Sequence, residues 1–168
     1  YGVALLYKPE AIDIVKGFST DDQDSQKRLI KASFKTKDGR RLFVINGYFP
    51  QGESRKPATK FPAKQKFYED LQAEVQNSYT PDDLLIIIGD MNVAPIDADI
   101  GIGSDNAKRW LRDGKTSFLP EEREWVDRLR QWGLHDVFRH HYPHITDLYS
   151  WFDYRSKGFE REPKRGLR

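Results

Sequence analysis

The most hydrophobic stretch of the chain, LLIIIG at residues 84–89, constrains the fold more than any other segment. Five consecutive apolar residues in so short a run predict a β-strand buried on both faces, as strands of parallel sheets are. The run continues into GDMN, which places Asp90 and Asn92 two residues apart at the end of the predicted strand. Ligands of α/β sheets tend to bind beyond the carboxyl ends of strands, so these two side chains are candidates for a functional site.

The chemistry of these side chains leaves two interpretations open. Asp90 has the properties of a general base or of a ligand for a hard divalent cation, and Asn92 can donate its amide to an anionic oxygen. Alternatively, both side chains hydrogen-bond their own backbone in a turn. A second predicted strand, at 42–49, leads through INGYFPQG into a loop and carries Tyr48 near its end. Tyr48 either binds a phosphate or a nucleophile, or is a half-buried tyrosine bonded to a carbonyl group.

Alternation of polar and apolar residues predicts further strands. In the first third of the chain the predicted strands are residues 2–7, 12–18, 28–36 and 42–49. Asp38-Gly39 lies between the last two and is a strong hairpin signal. The stretch LYSWFDYRS, at 148–156, predicts one more strand.

Apolar residues at helical spacing predict three helices. The first begins near Pro62, the second lies within 106–114 and the third spans 119–133. The predicted buried faces are Ala63, Phe67, Leu71 and Val75 in the first helix and Trp125, Leu129 and Trp132 in the third. Strands first, then helices alternating with strands, indicate a layered α/β domain. A length of 168 residues suits one domain.

Basic residues are concentrated in two segments, although the formal net charge is only +2. Residues 51–66 carry five basic residues against one acid, and residues 155–168 carry six against two, so each segment is locally +4. Such segments suit a polyanion, although solvated loops also collect lysine. WFDYRSKGF, at 151–159, interleaves aromatic and basic residues. It fits either stacking on bases or sugars, or a core strand with Trp151 inside.

Composition excludes several classes of protein. The chain has no cysteine, so it has neither a disulfide framework nor a thiolate metal site. No apolar run approaches the roughly 18 residues that a membrane span needs, so no membrane partner is expected. The histidines lack metal-ligand spacing and are predicted to be surface or packing residues: His135, His140, His141 and His144. Because the chain lacks an initiator Met, we expect an internal piece of a longer protein.

Seven stretches follow one another in a single order along nearly the whole chain: INGYFPQGES, IIIGDMNVAP, DIGIG, KRWLR, SFLPEEREWVDRL, GLHDVFR and YSWFDYRSKGF. Together they resemble the exonuclease III/AP-endonuclease family of the DNase I-like superfamily. GDMN alone is shared with related phosphodiesterases and phosphatases, whereas NGYFPQG with WFDYRS is more specific to the DNA-repair branch. The resemblance implies an α/β fold that is part of a four-layer sandwich, with mixed, mostly antiparallel sheets and flanking helices. Residues 1–168 would form a single domain, truncated at both ends.

The resemblance also implies an activity and its partners. The expected enzyme is a DNA repair nuclease that requires Mg²⁺ or Mn²⁺. It would act as a 3′ to 5′ exonuclease on double-stranded DNA and as an endonuclease 5′ to abasic sites, as a monomer in the bacterial cytoplasm. Related activities of the family are a 3′-phosphatase and an RNase H.

The family's functional residues match seven positions of this chain. Asp90 matches the proton-handling aspartate, Asn92 the asparagine that holds the scissile phosphate, and Tyr48 the active-site tyrosine. Asp90 and Asn92 are also the expected metal ligands. The expected DNA contacts are Gln51 and Lys60, together with Trp151 and Leu167, which match positions lining a pocket for a flipped-out abasic sugar.

Several active-site groups of the family have no counterpart in the chain: its main metal-binding glutamate, a second catalytic aspartate and a closing Asp-His pair. We therefore expect the isolated 168 residues to be nearly inactive. One alternative is a catalytically incomplete DNA-binding or scaffold module, which the two basic segments favour. Another is a phosphatase or phosphodiesterase of the same superfamily, against which the WFDYRS stretch argues.

Overall fold

The computed structural model describes residues 2–23 and 25–168. They divide into two compact units. The first unit comprises the chain up to Pro50 together with Lys64–Met91, and the second comprises Gln51–Ala63 and Asn92–Arg168. The single domain expected over 1–168 stays a prediction.

The first unit contains a four-stranded sheet in the order β1-β2-β3-β4. The strands are β1 (Ala11–Lys16), β2 (Leu29–Lys35), β3 (Arg41–Tyr48) and β4 (Leu84–Asp90). β1 and β3 each pair with β2 in antiparallel orientation, whereas β3 and β4 are parallel. The predicted hairpin around Gly39 is confirmed, because the Thr36 amide donates to the Arg40 carbonyl oxygen at 2.9 Å. The predicted mixture of mostly antiparallel strands with helices is therefore confirmed.

Helix α1 (Lys60–Ser78) connects the parallel strands β3 and β4. Its buried side chains in the first unit are Lys64, Phe67, Tyr68, Leu71 and Val75. The prediction that Ala63 belongs to this face is wrong, because Ala63 is exposed and the face includes its neighbour Lys64 instead. Phe49, which follows β3 directly, packs against the rings of Phe67 and Tyr68 at centroid distances of 4.8 and 5.0 Å. These aromatic contacts anchor the end of β3 on the helix.

Two strand predictions in the first unit are wrong. Residues 2–7 form no strand. The carbonyl oxygen of Ala4 instead accepts a side-chain hydrogen bond from Asn46 Nδ2 at 2.8 Å. β4 is not buried on both faces, since Ile86 and Ile88 are 45% and 43% exposed. The physical reason is its place in the sheet, because within the described residues β4 pairs only with β3.

The second unit contains three helices and a small sheet. They are α2 (Ser104–Arg112), α3 (Pro120–Trp132), α4 (Val137–His141), β5 (Trp151–Phe152) and β6 (Gly166–Leu167). β5 and β6 pair in antiparallel orientation, and short 3₁₀ turns occupy Asp97–Asp99 and Tyr154–Ser156. The strand predicted over 148–156 is thus reduced to two residues.

Helix α3 confirms its sequence prediction closely. Pro120 is its first residue, and Gly133, with φ of 134°, ends it. Trp125 and Leu129 are buried as predicted, whereas Trp132 is only half-buried. The four histidines are exposed, as predicted: His135, His140, His141 and His144. Among the helices that the structure describes, none combines the length and the apolar character needed to cross a membrane.

Candidate active site

The ends of β3 and β4 lie next to each other in the first unit. Tyr48 and Asp90, the last residues of these strands, are partners in the parallel register. The amide of Phe49 donates to the carbonyl oxygen of Asp90 at 3.1 Å, so the pairing continues to the strand ends. Tyr48 is half-buried and Asp90 is exposed. The structure thus places side by side two residues, Tyr48 and Asp90, that are 42 positions apart in the chain.

Close backbone approach fixes the position of Asp90. Gly89 has φ of 132°, and a Cβ atom there would lie 1.8 Å from the carbonyl oxygen of Gly47. Only glycine allows this approach, because any side chain would collide with a backbone atom of β3. On the other side, the Tyr68 hydroxyl of α1 donates to the Met91 carbonyl oxygen at 2.7 Å. The residues on both sides of Asp90 are therefore held, Gly89 against β3 and Met91 against α1.

Arg28 is a neighbour of Tyr48 that the sequence interpretation missed. Its guanidinium carbon lies 4.7 Å from the centroid of the Tyr48 ring, and its Nη1 donates to the Tyr48 carbonyl oxygen at 3.1 Å. The Tyr48 amide donates in turn to the Arg28 carbonyl oxygen at 2.8 Å. This pairing follows from the β2–β3 register, in which Leu29 faces Gly47. Only that register, set by the Asp38-Gly39 hairpin, would have revealed Arg28 in advance.

Asn92 opens the second unit in a left-handed conformation, with φ of 54°. Two residues later, the Ala94 amide donates to the Ser117 carbonyl oxygen at 2.6 Å. Ser117 is itself held by Glu122, which is fully buried and accepts hydrogen bonds from the amides of Ser117 and Leu119, each at 2.8 Å. A buried carboxylate in the first turn of α3 thus anchors the loop to which the Asn92 segment is bonded.

The same loop also holds the predicted DNA contacts Gln51 and Lys60. Gln51 Nε2 donates to the Thr116 hydroxyl at 3.1 Å, and Gln51 Oε1 accepts from the Glu53 amide at 2.7 Å. The Lys60 ammonium forms an ion pair with the Glu53 carboxylate. Gln51 and Lys60 therefore meet at Glu53, and both side chains are exposed.

Trp151 and Leu167, the predicted lining of the sugar pocket, are direct partners across β5 and β6. Trp151 is 45% exposed, whereas Leu167 is 7% exposed. Leu167 belongs to a buried cluster with Ala94, Ile102 and Phe118. Trp151 is therefore an exposed aromatic residue whose cross-strand partner, Leu167, is buried. This exposure contradicts the alternative that Trp151 lies inside a core strand.

The basic segments carry less net charge in space than in sequence. Arg55 forms a bidentate salt bridge with Glu121, in which Nε and Nη2 donate to Oε1 and Oε2 at 2.6 and 2.7 Å. The hydrogen bond from Arg55 lowers the pKa of Glu121, although burial acts in the opposite direction. Lys66 pairs with Asp70. At the other segment, Arg168 is largely buried between two aspartates. Acids outside the two segments therefore offset part of each local +4 charge.

The donor atoms suit a hard cation in kind. Asp90 offers a carboxylate and Asn92 an amide oxygen, and Mg²⁺ is usually bound by one or two carboxylates, with water and substrate phosphate as its other ligands. Within residues 2–23 and 25–168, no group of three or more histidine or acidic side chains is placed to hold a metal ion. Metal binding by Asp90 and Asn92 therefore stays a prediction.

Comparison with known proteins identifies the class. The model of the endonuclease/exonuclease/phosphatase family matches residues 1–164, and the chain belongs to that family. Among individual proteins, it is similar to exodeoxyribonuclease III of Haemophilus influenzae, with 58% identity over 168 residues. That alignment covers 100% of this chain and 62% of the relative, so the chain spans less than two thirds of its length.

Two solved structures are also similar. An AP endonuclease from Archaeoglobus fulgidus superimposes with a TM-score of 0.78 and 29% identity, over 95% of this chain and 56% of that one. A 3′ phosphatase from Neisseria bound to product DNA hairpin gives a TM-score of 0.74 and 29% identity, over the same shares of 95% and 56%. The resemblance drawn from the sequence motifs and the DNase I-like α/β fold class are therefore confirmed.

Proposed function

We propose that this chain is part of a metal-dependent DNA repair nuclease that hydrolyses phosphodiester bonds. The proposed activities are 3′ to 5′ exonuclease action on double-stranded DNA and cleavage 5′ to abasic sites. The observation that carries the proposal is the pairing of Tyr48 with Asp90 at adjacent strand ends. Similar proteins are named exodeoxyribonuclease III and AP endonuclease, which supports the same chemistry.

Each proposed catalytic residue has a distinct task. Attack of water on a phosphodiester requires removal of a proton and builds negative charge on the phosphoryl oxygens. Asp90 accepts the proton of the attacking water, the bond between phosphorus and the departing 3′ oxygen breaks, and that oxygen takes a proton from solvent water. The Tyr48 phenol and the Asn92 amide donate hydrogen bonds to the phosphoryl oxygens as their charge grows. Because Asp90 and Asn92 are two residues apart, their Cα atoms lie within about 7.6 Å of each other in any conformation.

We further propose Mg²⁺ or Mn²⁺ as the cofactor, with Asp90 and Asn92 as the ligands from this chain. The ion, when bound, would help to neutralise charge on the phosphoryl oxygens. The support is the kind of donor, since oxygen ligands suit both ions. A binding experiment separates this role from catalysis. Titration of Mn²⁺ followed by electron paramagnetic resonance should show binding that weakens in Asp90→Asn and is unchanged in the exposed control Asp82→Asn.

The proposed partners are double-stranded DNA and abasic-site DNA, which the protein would bind as a monomer. Gln51 and Lys60 contact the phosphate backbone in this proposal, and the exposed indole of Trp151 with Leu167 receives the extrahelical sugar. Extruding a nucleotide costs a few kcal/mol, and least where the base is already missing, which favours abasic sites as substrates. An apolar lining suits a sugar that has lost its base.

The test of catalysis uses the complete protein that carries these residues. We expect Mg²⁺-dependent incision of a duplex containing one abasic site. Replacing Tyr48 by Phe removes one proposed donor and should lower kcat by about 10²- to 10³-fold, the usual effect of such a loss. Asp90→Asn should lower kcat at least as much, and the matched controls Asp82→Asn and Tyr142→Phe should be neutral. Full activity of Asp90→Asn would contradict the proposal.

One alternative is a DNA-binding module without catalysis. The partial set of metal donors favours it for the 168 residues taken alone. In that case the complete protein would bind DNA but leave it uncut. Asp90→Asn and Tyr48→Ala would then change no biological effect of the protein. The 3′ phosphatase among the similar structures favours testing a 3′-phosphate end as a further substrate.

A further inference from the structure

Four charged side chains form a buried network in the second unit. Asp99 is fully buried and binds two arginines, Arg139 and Arg168. The distance from Arg168 Nε to Asp99 Oδ1 is 2.7 Å, and Arg168 Nη2 lies 2.6 Å from Asp136 Oδ2. The side chains of Arg139, Arg168 and Asp136 are only 9%, 16% and 19% exposed. Two positive and two negative charges thus balance within the network.

The network joins three segments that are distant in sequence. Asp99 ends the 3₁₀ turn after the Asn92 loop, and Arg168 follows β6 directly. Asp136 caps α4, because its Oδ1 accepts from the Arg139 amide at 3.0 Å. The guanidinium carbons of Arg168 and Arg139 also lie 4.4 and 5.3 Å from the centroid of the Phe138 ring. The network therefore ties the end of β6 to the start of α4 and to the turn at Asp99.

Strand β6 depends on this anchor because it is only two residues long. Around Leu167 and Gly166, the Ser150 amide donates to the Leu167 carbonyl oxygen at 3.0 Å and the Gly101 amide to that of Gly166 at 2.9 Å. The Arg168 amide donates to the Asp99 carbonyl oxygen at 3.1 Å. So short a strand has little stability of its own. Arg168 fixes the end of β6, because both its backbone amide and its side chain bind Asp99.

Stability alone does not account for charges at this place. Burying ions is costly, and apolar side chains of similar volume often stabilise a fold equally well. What an arginine fork adds is geometry, because its donors fix two carboxylates in defined directions. Here the fixed directions set the position of Leu167, and Leu167 is the cross-strand partner of Trp151.

We propose that Arg168, Asp99 and Asp136 are positioning residues that set the geometry of the Trp151–Leu167 pair and thereby the preference for abasic over intact DNA. This inference rests on the proposed function, in which that pair receives the abasic sugar. Lysine at position 168 would keep the charge, but a single ammonium cannot reproduce the fork that binds both aspartates. The Arg168→Lys variant should therefore lose the preference for abasic over intact DNA while it keeps its contacts to ordinary duplex.

The experiment measures binding by the complete protein without divalent metal, so that no cleavage occurs. The probes are a duplex with one tetrahydrofuran abasic analogue and the same duplex intact. For Arg168→Lys, we expect the ratio of the Kd for intact duplex to the Kd for the abasic duplex to fall about tenfold, which corresponds to about 1.4 kcal/mol. The Kd for intact duplex should stay within about twofold. Arg128→Gln, which loses an exposed ion pair to Glu124, should change neither value.

Each outcome decides the matter. An unchanged ratio in Arg168→Lys overturns the proposal, whether the two Kd values stay the same or rise by the same factor. An equal rise of both would indicate a purely structural role. If Arg168→Lys does not fold, Asp136→Asn decides by the same ratio, because it leaves the Arg168–Asp99 pair intact. Incision by the wild-type protein is measured separately. Its absence overturns the proposed function, whereas incision with an unchanged ratio in the variants overturns only the positioning role.

Discussion

At the scale of single residues, partners that are distant in sequence decide what a side chain does. Arg28 places its charge on the ring of Tyr48, and Glu53 connects Gln51 with Lys60. Arg168 belongs to a basic tail in sequence, yet in the structure its side chain pairs with the buried Asp99 and the half-buried Asp136. A charged residue can thus serve the substrate or the fold, and its neighbours decide which.

Asp136 gives a pH prediction at this scale. Burial alone would raise the pKa of Asp136, but hydrogen bonds from Arg168 and from the Arg139 amide lower that pKa below its ordinary value of 3.8. A carboxyl whose pKa is lower in the folded state stabilises the fold above its unfolded pKa, and this stabilisation is lost as pH falls through the folded pKa. The free energy of unfolding should therefore fall on acidification below pH 3.8, and this fall should be smaller in Asp136→Asn.

Urea unfolding of the complete protein at a series of pH values measures this effect. The matched control is Asp147→Asn, since Asp147 is exposed. That variant should retain the acid dependence of the wild type. An Asp136→Asn variant with an undiminished acid dependence would contradict the role given to the Arg168 bond.

At the scale of elements, the parallel pair of β3 and β4 is what aligns Tyr48 with Asp90. β-branched and other apolar residues form the strands, but the missing side chain of Gly89 lets the backbone of β4 approach that of β3 closely at Gly47. The buried Glu122 plays a comparable part in α3, where it holds the loop that receives the amide of Ala94. Local exceptions within regular elements therefore position the candidate site.

Gly89→Ala tests the close approach. The substitution combines a positive φ of 132° with a Cβ that would lie 1.8 Å from a backbone oxygen, so it should destabilise the protein by well over about 1 kcal/mol. Gly39→Ala is the matched control, because Gly39 has φ of 88° but nothing within 4 Å of the added atom. Thermal and urea unfolding of both variants measure the difference. Equal losses of stability would mean that the contact with Gly47 has no energetic effect.

At the scale of the whole molecule, the chain contains part of a family pattern. It spans 62% of the length of the Haemophilus relative, and its described residues hold no three-member cluster of metal ligands. Ile86 and Ile88 lie on the exposed face of β4, so this strand presents apolar side chains to solvent in the described residues.

We therefore predict that the isolated 168 residues are nearly inactive. Incubation of this polypeptide with Mg²⁺ and an abasic duplex should yield incision at least about 10³-fold slower than the complete protein gives, because several charge-stabilising groups act together in such sites. Circular dichroism of the same sample shows whether the polypeptide is folded. Robust Mg²⁺-dependent incision by the folded polypeptide alone would refute the prediction.

Sequence patterns could predict much of the fold. Alternation of side chains predicted β2, the Asp38-Gly39 pair predicted the hairpin, and proline and glycine marked both ends of α3. These features depend on interactions within a few residues. Two predictions were wrong: the strand at 2–7 and the burial of both faces of β4. Both depend on which other segments pair with or pack against a strand, and apolar content alone does not determine that.

The sequence by itself determined the local elements, the family motifs and the identity of the candidate side chains Tyr48, Asp90 and Asn92. The tertiary structure alone decided that Tyr48 lies beside Asp90, that Arg28 packs over the Tyr48 ring and that Arg168 pairs with two aspartates. The physical reason is range. Turns and helices arise from neighbours along the chain, whereas strand register and buried ion pairs join residues tens of positions apart and follow only from the packing of the complete fold.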